Sequence, residues 1–231
     1  MLSESDISKF ENTIGYTFED KSLLIQAFTH SSFVNEQKIN KKPDYERLEF
    51  LGDAVLEMLS SEYLFKKYPD KKEGEMSKIR ASLVCEPALA FDAEKLDIRH
   101  YMQLGKGEEA TGGRNKESII ADMVEAVIGA LFLDGGIEES KKFIYKYVLT
   151  NEESMQMFSD SKSILQEIVQ GQNMGQIRYE ICGERGPEHD KIFDVCVFVG
   201  DKNFGEGSGK TKKAAEQKAA YKAILELKKI K

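Results

Sequence analysis

The 231-residue chain has no apolar run of transmembrane length; its longest is broken by Asp122 and Glu125. The first residues, Met1-Leu2-Ser3-Glu4-Ser5-Asp6, are acidic and hold no apolar signal core. No membrane partner and no secretion are expected, and the cytoplasm is the expected location. Only three cysteines are present, Cys85, Cys182 and Cys196, with no CxxC pair. They read as reduced core thiols of a cytosolic protein. The three histidines, His30, His100 and His189, form no Glu-x-x-His pair, which excludes a di-iron carboxylate bundle. Nor do they build a Ser/His/Asp or Cys/His arrangement for covalent catalysis. His30 reads as a structural hydrogen-bonding residue. The glycine-rich stretch 104–116 lacks the GxxxxGK[ST] pattern, which excludes a P-loop and its nucleotide cofactor. Its Lys106, Arg114 and Lys116 either touch a phosphate backbone or belong to a flexible connector.

What is present begins with charge. The net balance of −7 argues against a polyanion partner until it is divided along the chain. Residues 1–159 carry 20 Lys+Arg against 29 Asp+Glu, and residues 160–231 carry 13 against 11. The last stretch, 208–231, holds eight lysines and two glutamates. An acidic body with a basic end suits polyanion binding by that end. A lysine-rich terminal helix that is merely soluble is the plain alternative.

The body is organised around residues 46–59. Their apolar positions are too continuous for a half-buried strand, so the run reads as a helix. At about 100° per residue, Glu46, Glu49, Asp53 and Glu57 fall in one narrow stripe, joined by Ser60. Apolar residues cover most of the remainder. A surface helix has a wide polar face, so this stripe faces either a thin strip of solvent or a site. Residues 118–133 repeat the pattern. Only Asp122 and Glu125 interrupt that apolar run, and they share a stripe with Ser118 and Gly129. Two core helices with matching acid stripes point to facing carboxylates with a hard cation between them. Oxygen-only ligation favours Mg²⁺ or Mn²⁺ over zinc.

The remaining elements up to residue 149 all read as helices. A short helix and a Gly15-Tyr16 turn lead to a second helix from about Glu19. A polar loop at 40–44 leads into the first acidic helix, which Pro69-Asp70 ends. Further helices follow at 71–84, at 87–96 and at 137–149. Glu73 and Glu75 read as complements to a helix N-terminus. Residues 151–159 are polar and read as a linker. Beyond it the order is α-β-β-β-α in about 70 residues, enough for a separate domain. Residues 192–199 are the clearest strand, and Thr211 caps the final helix. The expected architecture is an all-α catalytic domain at 1–150 followed by a small α+β domain at 160–231.

Glu46-Arg47-Leu48-Glu49-Phe50-Leu51-Gly52-Asp53-Ala54-Val55 resembles the signature of the ribonuclease III family. Gly112-Gly113-Arg114-Asn115-Lys116-Glu117-Ser118, followed by Ala121-Asp122 and Glu125-Ala126, resembles the family's second acidic segment. Residues 160–227 resemble a double-stranded RNA-binding domain, notably Leu165-Gln166-Glu167, Gly186-Pro187, His189, Gly205-Glu206-Gly207 and Lys212-Lys213-Ala214-Ala215-Glu216. The resemblance implies a Mg²⁺-dependent homodimeric endonuclease that cuts double-stranded RNA, leaving 5′-phosphates, 3′-hydroxyls and short 3′ overhangs. It implies processing of rRNA, mRNA and other structured transcripts. It casts Glu49, Asp122 and Glu125 as metal ligands, Asp53 and Glu125 as catalytic, and Glu46 and Glu73 as secondary or dimer-related acids. It places Ser163, Gln166 and Glu167 in one minor groove of the RNA and His189 in the next. Lys210, Lys212 and Lys213 would hold the phosphates between. Ser31 and Ser163 depart from the family's usual basic residue and threonine; neither touches an acid. The apolar surface near Phe50 and Leu51 is the expected dimer contact.

Overall fold

The computed structural model describes residues 2–37, 43–149, 157–158, 160–186 and 191–229. The chain divides into two compact units, 1–152 and 153–231. Most of the expected 40–44 loop, nearly all of the 151–159 linker, and His189 lie outside the described residues.

The described part of the first unit is helical: α1 Glu4–Ile14, α2 Lys21–Ala27, α3 Ser31–Asn35, α4 Glu46–Lys67, α5 Glu73–Val84, α6 Glu86–Asp92, α7 Ile98–Tyr101, α8 Lys106–Ala110 and α9 Glu117–Tyr147. Local signals set the ends. Ser3 and Asp6 close a capping box on α1, and Gly15 ends it at φ 76°. His30 caps α3 through Nδ1, which accepts the Ser32 N–H at 3.0 Å, the structural role read from sequence. The two expected helices at 118–133 and 137–149 are one element, α9, broken at Gly136 (φ 74°, ψ −169°). The stretch 104–116 is no loose connector. It forms α8 and a 3₁₀ turn at Gly113–Asn115. Arg114 is bound to Glu109 by two bonds of 2.9 and 2.6 Å, and Lys116 to Glu108 at 2.8 Å.

The acidic helices α4 and α9 cross at the centre of the unit. Leu48, Val55, Leu56 and Leu59 are buried together with Ile120, Met123, Val127 and Ile128 of α9. The crossing is backbone on backbone. A Cβ on Gly52 would stand 1.8 Å from the Glu125 carbonyl oxygen, and one on Gly129 would stand 2.2 Å from that of Leu48. Only glycine fits at either position. On the other side of α4, Phe50 is 80% and Phe65 72% exposed, so this helix is not wholly a core helix.

The second unit runs α10 Ser161–Gly171, β1 Ile177–Arg185, β2 Ile192–Val199, β3 Lys202–Gly209 and α11 Lys212–Lys229. The strands form one antiparallel sheet in the order β1-β2-β3. Leu165 and Val169 of α10, Val197 and Val199 of β2, and Ala219, Ala223 and Ile224 of α11 form its core. The alanine face of α11 lies so close to β3 that a Cβ on Gly207 would meet the Ala215 carbonyl at 2.2 Å. Thr211 caps α11 as expected, its Oγ1 accepting the Ala214 N–H at 3.1 Å.

The cysteines depart from expectation. Cys182 and Cys196 are joined by a disulfide, with Cα atoms 5.9 Å apart, and Cys85 is an exposed free thiol. The two lie on adjacent strands: Glu180, two residues before Cys182, pairs with Cys196, and a bulge between Ile181 and Gly183 leaves Cys182 without its own partner on β2. Nothing in the residue spacing announces that bulge.

Candidate metal centre and nucleic-acid interface

Helix α4 supplies Glu49 from its first turn, and α9 supplies Asp122 and Glu125 on one face. The glycine crossing brings the two faces together. One carboxylate oxygen from each of the three residues lies within 4.8 Å of the others. All three side chains are half-buried. Burial, followed by the charges of Asp122, Glu46 and Asp53, pushes Glu49 up to about 7. Burial, followed by Asp53, Asp122 and Glu49, pushes Glu125 up to about 8. Asp122 is also raised, chiefly by burial, against the pull of a hydrogen bond donated by Tyr45 Oη at 3.0 Å. Like charges held this close resist ionisation unless a cation compensates them. Every donor is a carboxylate oxygen, the set that hard divalent cations take.

The other acids read from sequence divide. Glu46 and Asp53 are exposed on the same side of α4 and act on the trio through charge rather than contact. Glu57, although on the stripe, is paired with Arg80 at 2.9 Å. Ser60, at the end of the stripe, is buried. Glu73 is not part of the cluster. It sits in the first turn of α5, where its Oε1 accepts from Ser77 Oγ at 2.8 Å. It also lines a groove of about 480 Å³ with Leu64, Phe65, Met76 and Arg80. Tyr45 is the contact that periodicity missed. It stands one residue before the acidic helix, and the only signal in the sequence is that position.

In the second unit, Ser163, Gln166 and Glu167 are exposed on one face of α10. Ser163 and Gln166 border a groove of about 440 Å³, shared with Gln170, Gln176 and Tyr179. Lys210, Lys212 and Lys213 are exposed around the N-terminus of α11. Lys212 Nζ lies 5.6 Å from the Phe193 ring centroid. The lysines thus surround a helix end whose free N–H groups suit phosphate.

A helical unit with an oxygen-only carboxylate cluster, followed in the chain by an α-β-β-β-α unit with lysines at a helix end, fits the class of metal-site enzymes that act on a polyanion. Comparison with known proteins makes the class specific. A family model described as Ribonuclease-III-like matches residues 20–152, and one for the double-stranded RNA binding motif matches 161–227. Ribonuclease 3 of Shouchella clausii is 51% identical over 231 residues, covering 98% of this chain and 89% of that protein. Ribonuclease 3 of Listeria welshimeri is 48% identical over 221 residues, covering 95% and 96%. The solved nuclease domain of ribonuclease III from Campylobacter jejuni, described for flexibility in a region involved in dimer formation, superimposes with a TM-score of 0.58. It is 43% identical, covering 63% of this chain and 97% of that one. The chain belongs to the ribonuclease III family. It is an endoribonuclease of double-stranded RNA, and no helix among its described residues is long and apolar enough to cross a membrane.

Proposed function

We propose that the chain cuts double-stranded RNA with Mg²⁺, for which Mn²⁺ can substitute, held by Glu49, Asp122 and Glu125. The observation that carries this is the trio itself: three carboxylates gathered by two crossing helices, two of them raised to about 7 and 8 by burial and mutual repulsion. Such a site favours a hard cation, and its donors match one. When bound, the cation supplies Lewis-acid chemistry, activating water and neutralising the phosphodiester's charge. The protein's part is placement. The glycine crossing fixes the separation of the ligand-bearing helices. Asp53, on the exposed side of the cluster, orients the attacking water through a hydrogen bond, and Glu125 shares in its activation. Water adds to phosphorus and the bond to the 3′ oxygen breaks, leaving a 5′-phosphate and a 3′-hydroxyl, with short 3′ overhangs after cuts on both strands.

The α10 face and the Lys210, Lys212 and Lys213 group hold the duplex by its minor groove and phosphates, and the family resemblance adds His189 as a further RNA contact. The working unit is a homodimer. Phe50, Met58 and Phe65 are exposed large apolar residues of one helix, α4, and the groove bearing Glu73 is lined by Phe65. Glu46 and Glu73 serve as secondary acids. The cytoplasm, where rRNA and mRNA precursors fold, is the site of action.

The test is cleavage of a long, perfectly paired RNA by the native chain and Glu125→Gln, with Mg²⁺ and with chelator. Mg²⁺-dependent cutting to duplexes with 3′ overhangs, lost in the variant while RNA binding persists, is the expected result. Binding without cutting by the native chain, in either Mg²⁺ or Mn²⁺, would reduce it to an RNA-binding scaffold.

A further inference from the structure

Among the described residues, Glu49 and Glu125 take no side-chain hydrogen bond, whereas Asp122 takes one, from Tyr45 at 3.0 Å. Tyr45 is 5% exposed and is held from several directions. Its N–H donates to Thr29 O at 2.9 Å, and its own carbonyl accepts the N–H groups of Leu48 and Glu49 at 2.8 and 2.9 Å, opening α4. Its ring lies against that of His30, centroids 5.5 Å apart. The Thr29-His30 support is itself fixed. Gln103 Nε2 donates to Thr29 Oγ1 at 2.9 Å, and His30 Nδ1 lies 2.7 Å from Ser32 Oγ, which accepts the Gly105 N–H at 2.9 Å.

A hydroxyl so rigidly mounted does more than satisfy itself. It occupies Asp122 Oδ2 on one side, which selects one rotamer of a short side chain. Through its backbone, the same residue sets where α4, and with it Glu49, begins. Tyr45 therefore touches both ligand-bearing helices. We propose that Tyr45 is a positioning residue of the metal centre, locking the Asp122 carboxylate into the orientation that faces Glu49 and Glu125. The inference rests on the metal-dependent reading above. Partners that orient metal ligands in this way typically account for about 10–100-fold in affinity or activity.

The decisive substitution is Tyr45→Phe, which keeps the ring and removes only the donor. Mn²⁺ affinity is read without RNA, by electron paramagnetic resonance of the free ion, on the full chain. The expected result is a dissociation constant raised about 10-fold or more, with kcat reduced, KM for RNA unchanged and circular dichroism unchanged. A second measurement places Tyr45→Phe in an Asp122→Asn background, where it adds little, because the residue it orients no longer ligates. A merely structural tyrosine would lower the melting temperature and leave Mn²⁺ affinity alone. Mn²⁺ binding as tight in Tyr45→Phe as in the native chain, or an equal loss in both backgrounds, overturns the proposal while leaving the nuclease reading intact. A native chain that neither binds Mn²⁺ nor cuts RNA overturns both.

Discussion

The metal-free protein should become more stable when Glu125 is replaced by glutamine, provided the pH is high enough. Burial and the neighbouring acids raise Glu125 from 4.5 to about 8. A carboxyl whose folded value lies above its unfolded one holds its proton more tightly when folded. Its contribution to stability therefore falls as the pH rises from about 4.5 towards 8. At ~1.4 kcal/mol per pH unit, that interval sets a ceiling of about 5 kcal/mol. Glu125 is only partly shielded, and solvent screening reduces the expectation to about 2 kcal/mol. Glutamine keeps the shape and never ionises. In chelator at pH 8, Glu125→Gln should then melt about 4–8 °C above the native chain. The gap should nearly close at pH 5. Thermal unfolding followed by far-ultraviolet circular dichroism reports mainly the helical first unit. Comparing variant with native at each pH cancels titrating groups remote from the trio, leaving Glu125 and the acids coupled to it. Adding Mg²⁺ should favour the native chain, since only it keeps all three ligands. A gap that is the same at both pH values, or a native chain that gains on Glu125→Gln as the pH rises, would refute the electrostatic account of the trio.

Other consequences follow from the same geometry. Gly52→Ala drives a methyl into the Glu125 carbonyl and should cost about 3 kcal/mol or more, or prevent folding, as a melting curve or a solubility assay will show. Phe50→Glu places a charge on the exposed apolar surface of α4 and should shift the chain from dimer to monomer at micromolar concentration in light scattering. Lys212→Ala should weaken binding of duplex RNA about equally across sequences and reduce the slope of log affinity against log salt by about one. Cutting at saturating RNA should continue at an unchanged rate.

The sequence reading and the structure agree most closely where a residue's role depends on its own helix. The acid stripes are a property of helical pitch, so Glu49, Asp122 and Glu125 could be paired before any fold was known. The strand at 192–199 matches β2 residue for residue, because its β-branched and aromatic run has no competing period. What escaped depends on two segments meeting. The Tyr45–Asp122 bond spans 77 residues, and the Cys182–Cys196 link joins β1 to β2 beside a bulge. Neither leaves a trace in local periodicity. The ordered stretch 104–116 was obscured for another reason. Its glycines suggest freedom, yet the ion pairs of Arg114 and Lys116 with Glu109 and Glu108 fix it. Asp53 lies on the acid stripe and Glu73 was marked by resemblance alone; neither is among the three carboxylates that converge, in keeping with roles other than direct ligation.

The contact at Gly52 and Gly129 also bears on how the protein can drift. Where helices meet through side chains, their spacing follows the volumes of those side chains, and a neutral exchange of leucine for valine moves everything mounted on them. Here two main chains touch directly, and main-chain geometry is the same in every protein. The gap that the ligands must bridge is therefore insulated from turnover in the surrounding core. Lineages can exchange leucine, valine and methionine around the crossing without retuning the reaction centre, so long as two hydrogen atoms stay where a methyl group cannot.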